Sequence, residues 1–122
     1  HFVDYTKVPE QYISSADVLC LPSYREGFGQ VIIEAAVGGV PSIGSRIYGI
    51  TDAIEEGETG LLFEVANIDD LADKIIQLIE YPSLRRELGE RARKRALRDF
   101  STETLVSAML NYYELLLVKK YK

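Results

Sequence analysis

The chain has 122 residues, 47% of them apolar, which fits one soluble globular domain large enough to bury a core without staples. No apolar run approaches the ~20 residues needed to span a bilayer, no signal peptide is visible, and the lone Cys20 excludes an internal disulfide. Net charge is −5 but uneven: residues 1–84 carry 4 basic and 14 acidic side chains, residues 85–122 carry 10 basic and 5 acidic.

In chain order, residues 2–5 (FVDY) read as the end of a short strand. Pro9 suits the first turn of a helix whose apolar side is Tyr12, Ile13 and Ala16. Asp17 to Leu21 (DVLCL) is a continuous apolar run, expected to be a strand covered on both faces, with Cys20 a buried strand residue rather than a nucleophile. A polar loop, Ser23 to Gly29, then opens into an almost wholly apolar helix, Gln30 to Val37. Pro41 to Gly44 is a second short strand candidate, followed by a turn signal at Gly49 and a short helix around 51–56; Gly57 and Gly60 bracket another turn, and Leu61 to Phe63 is a further strand. Strands alternating with helices, joined by connections too long for hairpins, predict an α/β fold with a short parallel sheet of about four strands.

From residue 68 onward the pattern is helical only. Asn67 is a good N-cap with Asp70 in the first turn, and Ile68, Leu71, Ala72, Ile75, Ile76 and Ile79 form a 3.6-period stripe. Tyr81-Pro82 ends that helix. Ser83 to Arg98 forms the next, with Arg85, Arg86, Arg91, Arg93, Lys94, Arg95 and Arg98 on its polar surface. Ser101 starts a last helix carrying Leu105, Met109, Tyr112, Tyr113, Leu116 and Leu117, large apolar groups on more than one side. The single domain, 1–122, thus divides into an α/β sheet portion, 1–66, and C-terminal helices, 67–122. So thin a sheet with so apolar a last helix predicts one part of a larger protein, with self-association through exposed apolar helices as another use of that surface. The acidic balance favours no nucleic-acid partner. The basic helix, with the tail Lys119-Lys120-Tyr121-Lys122, reads either as a solvated face or as a peripheral contact with an anionic membrane.

The chemistry concentrates between Pro22 and Gly39. A strand end, a loop with glycines and a helix start is a geometry for binding an anionic group, because the first helical N–H groups lack partners and the macrodipole is positive there. Gly27 and Gly29 remove side chains where a ligand would approach the backbone. Glu34 is a lone carboxylate among apolar helix neighbours, costly if buried without partners. With Glu26 in the loop it could hold sugar hydroxyls on either side of a phosphate. The bland alternative is that Glu34 points out of an exposed stripe and Glu26 caps the helix.

The run E-G-F-G-Q-V-I-I-E-A-A, preceded by A-D-V-L-C-L-P-S, resembles the E-x7-E signature of family 4 retaining glycosyltransferases. The similarity continues through G-G-V-P-S-I-G-S, E-G-E-T-G-L-L-F-E-V and P-S-L-R-R-E-L-G-E-R-A-R, so it covers nearly the whole chain. These are GT-B enzymes, with two Rossmann-like domains facing across a cleft. The resemblance implies a partial, three-layer Rossmann-like unit, half of the C-terminal, nucleotide-sugar-binding domain. It implies that Glu26, the residue given the catalytic role, contacts hydroxyls of the transferred sugar. With Gly27 beside them in the loop, the N–H groups of Phe28 and Gly29 would reach that sugar, those of Gln30 and Val31 the pyrophosphate, and Glu34 the ribose. The donor would be a UDP- or GDP-sugar and the acceptor a glycan or lipid-linked molecule, in polysaccharide or glycoconjugate biosynthesis. No metal and no further cofactor are expected. The acceptor-binding N-terminal domain, and the Arg and Lys that grip the diphosphate in relatives, would belong to other parts of the parent, so the fragment alone is expected to be inactive. A cytoplasmic location, peripheral at the inner face of the membrane if the basic helix docks there, follows from the same reading. The turn after Ser45 reads R-I-Y-G-I-T-D where many relatives have a double glycine followed by Pro-Glu. The alternative from another class is a non-catalytic nucleotide- or sugar-binding module using the same pocket.

Overall fold

A computed structural model describes residues 1–120, Lys120 in its backbone only. The elements are α1 (Pro9–Ser14), β1 (Leu19–Leu21), α2 (Gln30–Val37), β2 (Ser42–Ser45), α3 (Ile50–Ala53), β3 (Gly60–Phe63), α4 (Ile68–Glu80), α5 (Pro82–Asp99) and α6 (Thr102–Lys120). The three strands form one parallel sheet in the order β1-β2-β3, with Leu19 opposite Ser42 and Ser42 opposite Gly60.

Every residue of β2 and β3 is buried, as parallel strands covered on both faces must be. The pleat sorts their side chains. Leu62 joins Ile32 of α2 with Ile50, Ala53 and Ile54 on one face, while Ile43, Leu61 and Phe63 meet Leu78 of α4 and Leu88 of α5 on the other. The third layer closes where α2 lies on α5 through small residues, Ala36 against Ala92 and Ala96. Helix α4 starts as its sequence predicts, with Asn67 Oδ1 accepting from the Asp70 N–H at 3.0 Å. Ser101 Oγ accepts from the Thr104 N–H at 3.2 Å at the start of α6.

Two expectations are corrected. Residues 2–5 are not a strand, so the sheet among the described residues has three strands rather than about four; a strand exists only within a ladder, and no neighbour among the described residues hydrogen-bonds to this stretch, whose Phe2 and Tyr5 are exposed. Cys20 is not buried. It lies on β1, at the sheet edge, whereas α4 packs over β2 and β3. The residue is exposed although its thiol is partly enclosed, and that enclosure pushes the thiol pKa up.

The basic surface of α5 is largely engaged within the chain. Arg85 donates to the Leu78 carbonyl at 2.9 Å and pairs with Asp17. Arg91 pairs with Glu58 and Glu87, Arg95 with Glu55, and Arg98 with Asp99. Only Arg86, Arg93 and Lys94 of the seven make no ion pair among the described residues. Tyr121 and Lys122, in the tail that would join them at a membrane, lie outside the described residues. Among the described residues no helix is long and apolar enough to cross a membrane. The described side chains of α6 are exposed, with Leu105, Met109, Tyr112 and Leu116 uncovered along one side of the helix and Tyr113 and Leu117 uncovered beside them.

Candidate functional site

The loop from Pro22 to Gly29 leaves the carboxyl end of β1 and delivers the chain to α2. In open α/β sheets this is where ligands sit. Gly29 makes the entry possible: it is the N-cap of α2 with φ +69°, a left-handed conformation that costs glycine nothing, and a Cβ there would stand 3.0 Å from Ile32 Cδ1. Its carbonyl accepts from the Ile32 N–H at 2.9 Å. No side chain caps α2, so its first N–H groups keep their donors for whatever lies in front of them.

Glu26 is half-buried in the loop, where Ser23 Oγ donates to its Oε1 at 3.1 Å and so fixes one carboxylate oxygen. Glu34 sits one turn into α2 and is exposed, with no hydrogen bond or ion pair among the described residues. The desolvation cost that made a lone carboxylate conspicuous in the sequence therefore does not arise. What distinguishes Glu34 is its place on the helix that begins at the loop. Gly27 is exposed and has open space where a Cβ would be, so neither backbone conformation nor crowding demands glycine there; the loop is simply bare at that point. Gln30 is exposed and Val31 half-buried at the helix start. Phe28 projects from the loop and rests on Phe100, ring centroids 5.3 Å apart and planes tilted by 56°.

The structure thus places Glu26, Gly27, Phe28, Gly29, Gln30, Val31 and Glu34 on one continuous loop-and-helix entry. It also adds residues that sequence reasoning passed over. Gly49, the glycine of the R-I-Y-G-I-T-D turn, has φ +90° and lies against the loop: a Cβ would stand 2.5 Å from the Gly27 carbonyl oxygen and 2.7 Å from that of Glu26. Arg95, read as one of a solvated row, is the most enclosed of the paired arginines, its side chain 14% exposed. Phe100, at the α5–α6 junction, carried no signal beyond being an aromatic residue after a helix. Among the described residues no three His, Cys, Asp or Glu side chains gather as a metal-ligand group. The loop offers backbone N–H groups as donors and carboxylates as acceptors, a set suited to a polyhydroxylated ligand carrying a phosphate.

Residues 1–95 match the family model described as Glycosyl transferases group 1. The chain is similar to N-acetyl-alpha-D-glucosaminyl L-malate synthase of Bacillus anthracis, 40% identical over 107 residues that cover 87% of this chain and 28% of that protein. Sucrose-phosphate synthase from Thermosynechococcus elongatus has a similar structure, with a TM-score of 0.81 and 35% identity over 88% of this chain and 27% of that one. So does Anabaena HepE, whose structure is in complex with UDP: TM-score 0.81, 25% identity, 85% of this chain and 29% of that one. The chain therefore spans less than a third of the length of these relatives.

Proposed function

Because the chain belongs to the glycosyl transferases group 1 family, we propose that it is the donor-binding part of a retaining, family 4 glycosyltransferase that moves a hexosyl unit from a UDP- or GDP-sugar to a glycan or lipid-linked acceptor. The observation that carries this reading is the uncapped start of α2, entered through Gly29 at the carboxyl end of β1, with Glu26 before it and Glu34 after it. The diphosphate lies at the N–H groups of Gln30 and Val31, where helix dipole and free donors favour negative charge. As the bond to the sugar breaks, charge builds on the leaving oxygen, and donors already in place stabilise it without reorganising. Glu26, held by Ser23, accepts from hydroxyls of the transferred sugar near the N–H groups of Phe28 and Gly29. Glu34 accepts from the ribose. The UDP bound by the Anabaena relative supports the nucleotide class.

The two carboxylates have separable roles, which makes the reading testable in the full-length protein that carries this chain. Glu34→Gln removes a charged acceptor common to nucleotide and nucleotide sugar, so both should bind about tenfold or more weakly. Glu26→Gln should leave nucleotide affinity nearly intact and lower turnover. Calorimetry with UDP, GDP, UDP-glucose and GDP-mannose, followed by transfer assays, measures both. Unchanged turnover in Glu26→Gln would overturn its catalytic role, and a bound nucleotide sugar with no turnover would favour a non-catalytic binding module.

A further inference from the structure

The loop that carries Glu26 and Phe28 has no ladder of its own, and its Ser23–Glu26 hydrogen bond lies wholly inside it. Two other elements hold it. Gly49, the N-cap of α3, lies against the carbonyls of Glu26 and Gly27. Phe100 supports the Phe28 ring. These supports come from distant parts of the chain, yet one side chain joins them. The Arg95 guanidinium stands 5.1 Å above the centre of the Phe100 ring. Its Nη1 donates to the Ala53 carbonyl at 2.8 Å and its Nη2 to that of Asp52 at 2.7 Å, so it occupies the carboxyl end of the same short helix that Gly49 begins. Its Nε lies 3.1 Å from Glu55 Oε1, an ion pair whose alignment falls short of a hydrogen bond.

We propose that Arg95 and Phe100 are positioning residues for the donor loop, closing a ring of contacts that runs from Phe28 through Phe100, Arg95 and α3 to Gly49 and back to Gly27. The inference rests on the functional reading above, since it concerns the loop said to hold the sugar. A fork suits residue 95: two separate nitrogens donate to two carbonyls while the guanidinium carbon lies over an aromatic ring, an arrangement that the single nitrogen of a lysine does not reproduce. Arg95 touches both supports, the Phe100 ring and the carboxyl end of the helix that Gly49 begins.

The ring acts on the sugar end of the ligand more than on the nucleotide end. Phe28 and Gly29 belong to the loop, while the ribose site at Glu34 lies on α2, which has contacts of its own with α5 through Ala36, Ala92 and Ala96. Loosening the ring should therefore change the ratio of nucleotide-sugar to nucleotide affinity, a quantity that general destabilisation leaves alone. In the full-length protein, calorimetry with UDP against UDP-glucose, or GDP against GDP-mannose, reads that ratio in whichever pair the wild type binds. Phe100→Leu should weaken the nucleotide sugar about tenfold, with the nucleotide changed less than about twofold. Arg95→Lys should shift the ratio in the same direction, and Phe100→Tyr, which keeps the ring, should restore it. Phe28→Leu breaks the same contact from its exposed side and covers the case in which Phe100→Leu does not fold. The double variant should be no worse than either single one, because both remove one contact. An unchanged ratio in Phe28→Leu and Arg95→Lys, or losses that add in the double variant, would overturn the proposal. Binding of none of the four probes by the wild type would instead overturn the functional reading itself, and the inference with it.

Discussion

Gly49 and Gly27 meet backbone to backbone: a Cβ on Gly49 would lie 2.5 Å from the Gly27 carbonyl oxygen, closer than carbon and oxygen approach without displacement. Glycine is required at Gly49 twice over, because its φ of +90° is also one that other residues rarely adopt. The turn before α3 is thereby a template for the loop from Pro22 to Gly29, although the two are separated in sequence by β2 and α2.

Gly49→Ala should accordingly cost about 1–3 kcal/mol of stability, from backbone strain and the displaced loop together. Gly57→Ala is the control: its φ is +73°, but nothing lies near the position of its Cβ. Urea unfolding and nucleotide-sugar binding measured on both variants separate the effects. Both should lose stability, and only Gly49→Ala should lose affinity for the sugar end of the donor.

How much of this is legible in the chain follows the range of the physics involved. The bounds of α2 and the Asn67 cap are read directly, because helix starts and 3.6-residue periodicity are local. Residues 2–5 and Cys20 mislead because strand partners and edge position are decided elsewhere in the molecule. The site divides in the same way. The loop and helix bearing Glu26 and Glu34 stand out as a motif, whereas Gly49, Arg95 and Phe100 reach the loop only through tertiary packing. Arg95 is also of a type usual at the surface, and nothing in its neighbours Lys94 and Ala96 foretells so enclosed a side chain.

Asn67 offers the simplest test of local design. Its side chain accepts from the Asp70 N–H, and the Asp70 carboxylate in turn accepts from the Glu64 N–H at 2.7 Å, so the β3–α4 connection is tied at both ends. Asn67→Ala should lose about 1 kcal/mol, and Asn67→Asp should lose little, since aspartate caps equally well and favours the helix dipole. Chemical denaturation of the two variants measures the difference.

Acid should weaken one pair in a defined window. Arg98 Nε and Nη2 donate to the two oxygens of Asp99 at 2.6 and 2.8 Å, and this holds the Asp99 carboxyl below its ordinary value of 3.8. A depressed folded value means that the contribution is complete above 3.8 and disappears as pH falls through the folded value. The pair is exposed, so salt should screen it. Asp99→Asn should match the wild type in its response between neutral pH and the carboxylate range, then lose less stability in stronger acid. Thermal unfolding across that range, at low and high salt, checks the sign.

Gly89 sets two rules against each other. It lies inside α5, where replacing glycine by alanine ordinarily stabilises a helix by about 0.5–1 kcal/mol through lost backbone freedom in the unfolded chain. In this fold Gly89 is buried against the Gly38-Gly39 end of α2, and a Cβ would run into the Gly39 carbonyl oxygen, with Pro41 Cδ 3.3 Å away. Gly39 has φ +76° and its N–H donates to the Ala36 carbonyl at 2.9 Å, so that backbone cannot retreat without opening the end of α2. Overpacking against an immobile carbonyl costs about 1–3 kcal/mol, more than the helix propensity returns. Gly89→Ala should therefore destabilise the protein, and Gly89→Ser, which adds the same Cβ without alanine's propensity, should destabilise it further. A rise in melting temperature for Gly89→Ala would mean that α2 and α5 can separate at this point, and the close packing of α2 on α5 would then have to be reassigned to Ala36, Ala92 and Ala96 alone.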